Sequence, residues 1–128
     1  MATRKQWIEG ARPRTLPAAI APVLVGCSIA HYEHGFEVAI ALLALIVSLA
    51  LQIGVNYSND YSDGIRGTDE NRVGPVRLVG QKLASPSAVK KAAFLSYGIG
   101  ALAGLGMVAI SGYYLLLPVG FAAIVSAW

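Results

Sequence analysis

Residues 52–77, QIGVNYSNDYSDGIRGTDENRVGPVR, follow directly on an apolar run and hold four of the chain's seven acidic residues: Asp60, Asp63, Asp69 and Glu70. Three of the ten basic residues, Arg66, Arg72 and Arg77, lie in the same stretch. If a helix begun in the apolar run continues, at about 100° per residue, Gln52, Asn56, Asn59, Asp60, Asp63 and Arg66 fall within an arc of roughly 120°. One helix face would then carry hard oxygen donors and a cation.

The surrounding composition places that face at a membrane. Of 128 residues, 55% are hydrophobic and only 13% charged, and the mean hydropathy of +0.58 lies outside the usual range of soluble domains. The chain reads as an all-α, multi-pass transmembrane helix bundle forming a single membrane domain over residues 1–128. Four membrane helices are expected, at about 15–30, 37–58, 89–110 and 113–128. The first is kinked by Pro17 and Pro22; the second, through Val38–Val55, carries the strongest apolar signal. Ser85-Pro86-Ser87 resembles a helix start. Gly98, Gly100, Gly104 and Gly106 give the following helix a thin face suited to close packing.

The net charge of +3 does not imply nucleic acid, because the positions of the basic residues explain it. Arg4, Lys5, Arg12 and Arg14 precede the first apolar run, and the other six lie between Arg66 and Lys91. None lies in the links on the opposite side, so the positive-inside rule places the N-terminus and residues 58–91 in the cytoplasm of a plasma-membrane protein. The 58–91 segment is the expected aspartate-rich active-site loop.

Polar groups at the end of a membrane helix are costly unless they meet water, a cation or each other, so their default reading is functional. Asn59, Asp60 and Asp63 suit Mg²⁺, which keeps several waters and binds through one or two carboxylates plus substrate phosphates. Arg66, Arg72 and Arg77 suit the remaining phosphate oxygens. The pattern points to diphosphate bound through magnesium at a membrane surface. A merely solvated charged loop accounts better for Asp69, Glu70 and Lys82 than for Asn59, Asp60 and Asp63, which continue the face marked by Gln52 and Asn56.

Asn59-Asp60-Tyr61-Ser62-Asp63 resembles the NDxxD core of the first aspartate-rich motif of the UbiA superfamily of intramembrane prenyltransferases. The wider run from Asn59 to Val79, with Arg12-Pro13-Arg14-Thr15-Leu16-Pro17, is similar to the branch that prenylates 1,4-dihydroxy-2-naphthoate in menaquinone synthesis. Its third acid is displaced: Gly67 stands at the usual place and Asp69 two residues on, as that branch implies. The resemblance implies a fold of roughly nine helices and a Mg²⁺-dependent enzyme acting on polyprenyl diphosphate and dihydroxynaphthoate in the lipid bilayer. It implies Asn59, Asp60 and Asp63 as catalytic residues that hold the metal with Asp69, and Arg66 and Arg77, with Arg72 and Asn56, as diphosphate contacts. The family's second aspartate-rich motif has no counterpart among the other acids, Glu9, Glu33 and Glu37. It is therefore expected beyond Trp128, and the 128 residues alone are expected to be inactive.

Four other readings carry less. A lipid-modified Cys27 after Leu24-Val25-Gly26 conflicts with the prolines and with the further apolar helices. His31 and His34 lack further ligands nearby. A CDP-alcohol phosphotransferase would require Ala-Arg two residues after an Asp-Gly pair, whereas Asp63-Gly64 is followed by Ile65-Arg66-Gly67-Thr68. A non-catalytic membrane scaffold gains weight only if the 128 residues are complete.

Overall fold

Five α-helices and one 3-10 turn make up the computed structural model, which describes residues 1–68 and 74–128. Helix α1 (Arg4–Gly10) begins with a capping box: the Thr3 side chain accepts from the Gln6 amide while the Gln6 side chain accepts from the Thr3 amide. A 3-10 turn (Pro13–Thr15) leads into α2 (Leu16–Tyr32), followed by α3 (Val38–Arg66), α4 (Pro86–Ser111) and α5 (Leu116–Ala127). Helix α4 starts at Pro86 because Ser85 caps it, accepting from the Ala88 amide at 3.2 Å.

Among the described residues, three helices are long and apolar enough to cross a membrane, and the protein is membrane-embedded. They are Arg4–Tyr32, which α1, the turn and α2 build together, Val38–Arg66 and Pro86–Ser111. The expectation of four spans is therefore corrected. Composition counts every apolar residue after Ser111, but the chain spends Gly112 to Leu115 on a turn before α5 begins. The 12 residues of α5 rise about 18 Å, well short of the ~30 Å of a hydrocarbon core.

The charged sequence after Val55 does not end the helix. Helix α3 runs on for 29 residues to Arg66 and stops at Gly67, whose φ of 70° is the left-handed conformation that closes a helix. Its last turns therefore project beyond its apolar half. The packing partner of α3 is chiefly α4, with α2 on another side. Gly100 faces Ala50 and Leu51, Gly104 faces Val47 and Gly106 faces Leu43, whereas Gly98 points away from any neighbour. Most of the large apolar side chains of α2, among them Leu24, Val25 and Ile29, are exposed, as suits a lipid-facing helix.

The buried core lies at the polar end of the helices. It comprises Tyr57, Leu78, Val79, Val89, Ala93 and Tyr97. The Tyr97 ring packs against Gly54, and its hydroxyl donates to the Ala127 carbonyl at 2.7 Å while Ser58 Oγ lies 2.7 Å away. A Cβ at position 54 would collide with the Tyr97 ring. Gly54→Ala is therefore expected to cost about 1–3 kcal/mol by forcing that ring off its rotamer. Thermal unfolding of the purified protein in detergent measures this, and an unchanged midpoint would contradict the close approach.

Candidate functional site

The polar end of α3 is not an open patch of ligands, because much of it is already engaged with two other segments. On one side Asn56, which is buried, donates to the Ala11 carbonyl at 2.8 Å and to Thr15 Oγ1 at 3.0 Å. Tyr57 donates its hydroxyl to the Trp7 carbonyl at 2.9 Å, and its ring meets the Trp7 ring edge-on. Deeper along the helix, Ser48 reaches the Ala19 carbonyl at 2.7 Å. The Trp7 carbonyl lies in the C-terminal turn of α1, and Ala11 is that helix's cap. The Trp7 carbonyl already accepts the Ala11 amide at 3.0 Å, and the Tyr57 hydroxyl adds a second donor to it, while Asn56 supplies a donor to the Ala11 carbonyl at the helix end.

On the other side Asp60 closes against the segment that precedes α4. Its Oδ2 accepts from the Leu78 amide at 2.7 Å and its Oδ1 from the Val79 amide at 3.1 Å. Those amides begin a folded turn in which Gln81 donates to the Arg77 carbonyl at 3.0 Å, and Leu83 and Ala84 donate to the Leu78 carbonyl. The carboxylate therefore caps the start of a turn far from it in sequence, as an N-cap side chain does locally. Asp60 is 1% exposed, and Leu78 is sealed completely. Arg77 and Arg12 are both close enough to act on Asp60 electrostatically. Arg12 reaches this position through a left-handed backbone at φ 54°, between α1 and the 3-10 turn.

One turn further along α3, Asp63 is about a third exposed and pairs with Arg77 at 3.4 Å. Asn59 is exposed, and Arg66 is exposed in the last helical turn. Thus Asp60, Asp63 and Arg77 come together, with Asn59 and Arg66 on the same end of the helix, while Asn56 faces the N-terminal segment. Asp69 and Arg72 lie outside the described residues. The residue that sequence reasoning did not single out for the site is Arg12. Its only signal was its place in the Arg12-Pro13-Arg14-Thr15 motif.

The donor chemistry can be tested against a magnesium ion. Among the described residues, no three His, Cys, Asp or Glu side chains form a group that could hold a metal alone. Asn59 and Asp63, four residues apart on the helix, offer accessible hard oxygens, and one or two such ligands suit an ion that shares its shell with phosphate and water. That pair fits. Asp60 does not offer itself in the same way, since each of its oxygens already accepts a backbone hydrogen bond and the group is enclosed.

Over all 128 residues the chain is 57% identical to the 1,4-dihydroxy-2-naphthoate octaprenyltransferase of Mycobacterium tuberculosis, of which it covers 44%. It is 52% identical over the same length to the protein of that name from Mycobacterium leprae, covering 43% of it. The chain is thus similar to these octaprenyltransferases along its whole length. The Escherichia coli member is 38% identical over 116 residues, 90% of this chain and 38% of that protein. The chain thus spans less than half the length of these octaprenyltransferases. No family model and no solved structure matches it.

The contacts of Asn56 with the N-terminal segment have a measurable consequence. Asn56→Leu removes the buried donor to the Ala11 carbonyl and Thr15 Oγ1, at a cost of about 0.5–1.5 kcal/mol for each hydrogen bond lost. Trypsin cleavage after Arg14 is expected to accelerate in this variant in detergent, and an unaltered cleavage rate would show that the segment is held without it.

Proposed function

We propose that the full-length protein carrying this chain transfers a polyprenyl group from polyprenyl diphosphate to 1,4-dihydroxy-2-naphthoate. The products are a demethylmenaquinol, at the same hydroquinone level as the acceptor, together with CO₂ and diphosphate. The observation that carries this reading is the meeting of Asp63 and Arg77 beside Asn59 at the polar end of a membrane helix, so that an anion-binding group and hard oxygen donors share one edge. The identity to octaprenyltransferases across the whole chain supports it.

In this reading Asn59 and Asp63 hold magnesium together with the diphosphate, and Asp69 joins them on the family pattern. When bound, the ion stabilises negative charge on the departing diphosphate. Arg77 and Arg66, with Arg72, take the remaining phosphate oxygens as planar forks or point charges. The allylic carbon–oxygen bond breaks with its electron pair going to the diphosphate. A ring carbon of the acceptor supplies the pair for the new carbon–carbon bond, and loss of the carboxylate as CO₂ leaves electrons that restore the aromatic ring. The apolar helices beside the site exclude water from the cationic allyl group and shelter the prenyl tail.

The same reading puts this end of the helices in the cytoplasm. The N-terminal segment and the 77–84 turn share one end of the bundle, and all ten basic residues belong to these two regions and their flanks. The positive-inside rule then gives the side from which soluble substrates arrive.

Membranes containing the full-length protein, incubated with labelled polyprenyl diphosphate, dihydroxynaphthoate and Mg²⁺, are expected to form prenylated product. EDTA is expected to stop the reaction. Asp63→Ala is expected to lower turnover by about 10²-fold or more, the loss of a charge-stabilising group at the reacting centre. Product that persists in EDTA would contradict the metal role, and full activity in Asp63→Ala would overturn the site.

A further inference from the structure

Asp60 belongs to the polar face that a sequence motif would assign to the metal, yet the structure gives it a different task. Both of its oxygens accept backbone amides, from Leu78 at 2.7 Å and Val79 at 3.1 Å, and the side chain is closed off from solvent. Leu78 immediately follows Arg77, the residue that pairs with Asp63 at 3.4 Å. Fixing the amides of Leu78 and Val79 therefore fixes where the Arg77 backbone sits relative to the Asp63 face.

Two glycines make the same approach possible. A Cβ at Gly64 would collide with Val79, so the turn can lie against α3 only because position 64 has no side chain. A Cβ at Gly10 would come within 2.9 Å of the Leu78 side chain, so α1 closes over the turn for the same reason. Carboxylate, helix glycine and N-terminal glycine thus form one seat for residues 77–79. Only the first of them could be read as a metal ligand, and the other two have no ligand chemistry at all.

We infer that Asp60 is a positioning residue, which seats the 77–79 turn against Gly64 so that Arg77 is presented to the diphosphate of the prenyl donor, and that it does not ligate the metal. The inference rests on the prenyl-transfer reading for the identity of the anion; the seat itself does not depend on it. A metal ligand and a positioning residue differ in what their loss disturbs. Removing a ligand weakens the affinity for Mg²⁺, whereas unseating Arg77 weakens the grip on diphosphate at unchanged metal affinity.

The test uses the full-length protein in detergent or membranes, with three variants. Asp60→Asn keeps the size of the side chain but removes its charge and places an amide donor against the backbone donors. Gly64→Ala unseats the turn while leaving every acid in place. In the double variant Gly64→Ala/Val79→Gly the colliding Cβ is removed from the turn, so the seat can reform. Asp60→Asn and Gly64→Ala are both expected to raise the KM for polyprenyl diphosphate by about ten- to a hundredfold, the loss that corresponds to charge-assisted hydrogen bonds. The Mg²⁺ concentration at half-maximal rate should stay within about twofold, a shift worth well under the 1.4 kcal/mol of a tenfold change. Gly64→Ala/Val79→Gly is expected to recover the wild-type KM.

Amide hydrogen exchange at Leu78 and Val79 gives a reading independent of turnover, and it should accelerate in Asp60→Asn. A shift in half-maximal Mg²⁺ for Asp60→Asn as large as that for Asp63→Asn would make Asp60 a ligand and overturn the inference. Unchanged exchange at Leu78 and Val79 would overturn it as well. If the wild type forms no prenylated product while exchange accelerates as expected, the prenyl-transfer reading fails and the seat stands.

Discussion

A carboxylate enclosed near the end of a membrane helix is tolerable only if its charge is met, and the way Asp60 is met organises this end of the molecule. Two backbone amides from the turn after Arg77 supply directed hydrogen bonds, and the guanidinium groups of Arg77 and Arg12 supply opposing charge. The amides come from the segment that leads into α4, and Arg12 comes from the break between α1 and α2. One side chain on α3 therefore gathers both neighbouring segments. Without it the turn would have to place two amides elsewhere, in a region where water is scarce.

The residues on either side of Asp60 extend the same logic. Asn56 and Tyr57, within one turn, donate to the Ala11 and Trp7 carbonyls, so the end of α1 is held against α3. Asp63, one turn on, meets Arg77 where the surface opens. Along about two turns the helix passes from holding the N-terminal segment, through holding the 77–79 turn, to a partly exposed ion pair. The gradation from buried to accessible is what separates structural polar groups from those that can reach a ligand. Asp63 lies at the accessible end, and Asn59, between buried neighbours, is exposed by its side of the helix.

Much of this was legible in the sequence, and the rest was hidden for identifiable reasons. The apolar runs and the single polar face were readable because helical period sorts residues by side, and the start of α4 was readable because Ser85 and Pro86 have local consequences. The fourth membrane span was misread because hydropathy cannot say how many apolar residues a turn consumes. The division of labour between Asp60 and Asp63 was hidden because both are acids on one face, and only the Leu78 and Val79 amides, 18 and 19 residues away, distinguish them. The approach of Arg12 depends on a left-handed residue with no glycine to mark it. Asp69 and Arg72 lie outside the described residues, so the displaced third acid rests on sequence alone.

The energetic balance at Asp60 says what such a group is for. Enclosing an ionised carboxylate costs several kcal/mol after relaxation, while hydrogen bonds to a charged group return about 1.5–3 kcal/mol each. Two amides and partly screened attraction to the two arginines bring the sum close to even. An apolar side chain of similar volume would hold Leu78 and Val79 by packing at no such cost, but it could not dictate the direction in which their amides point or oppose the charge of Arg77. Stability is thus a weak reason for an acid at this position. Direction is a strong one, because planar recognition of phosphate by a guanidinium tolerates little misplacement.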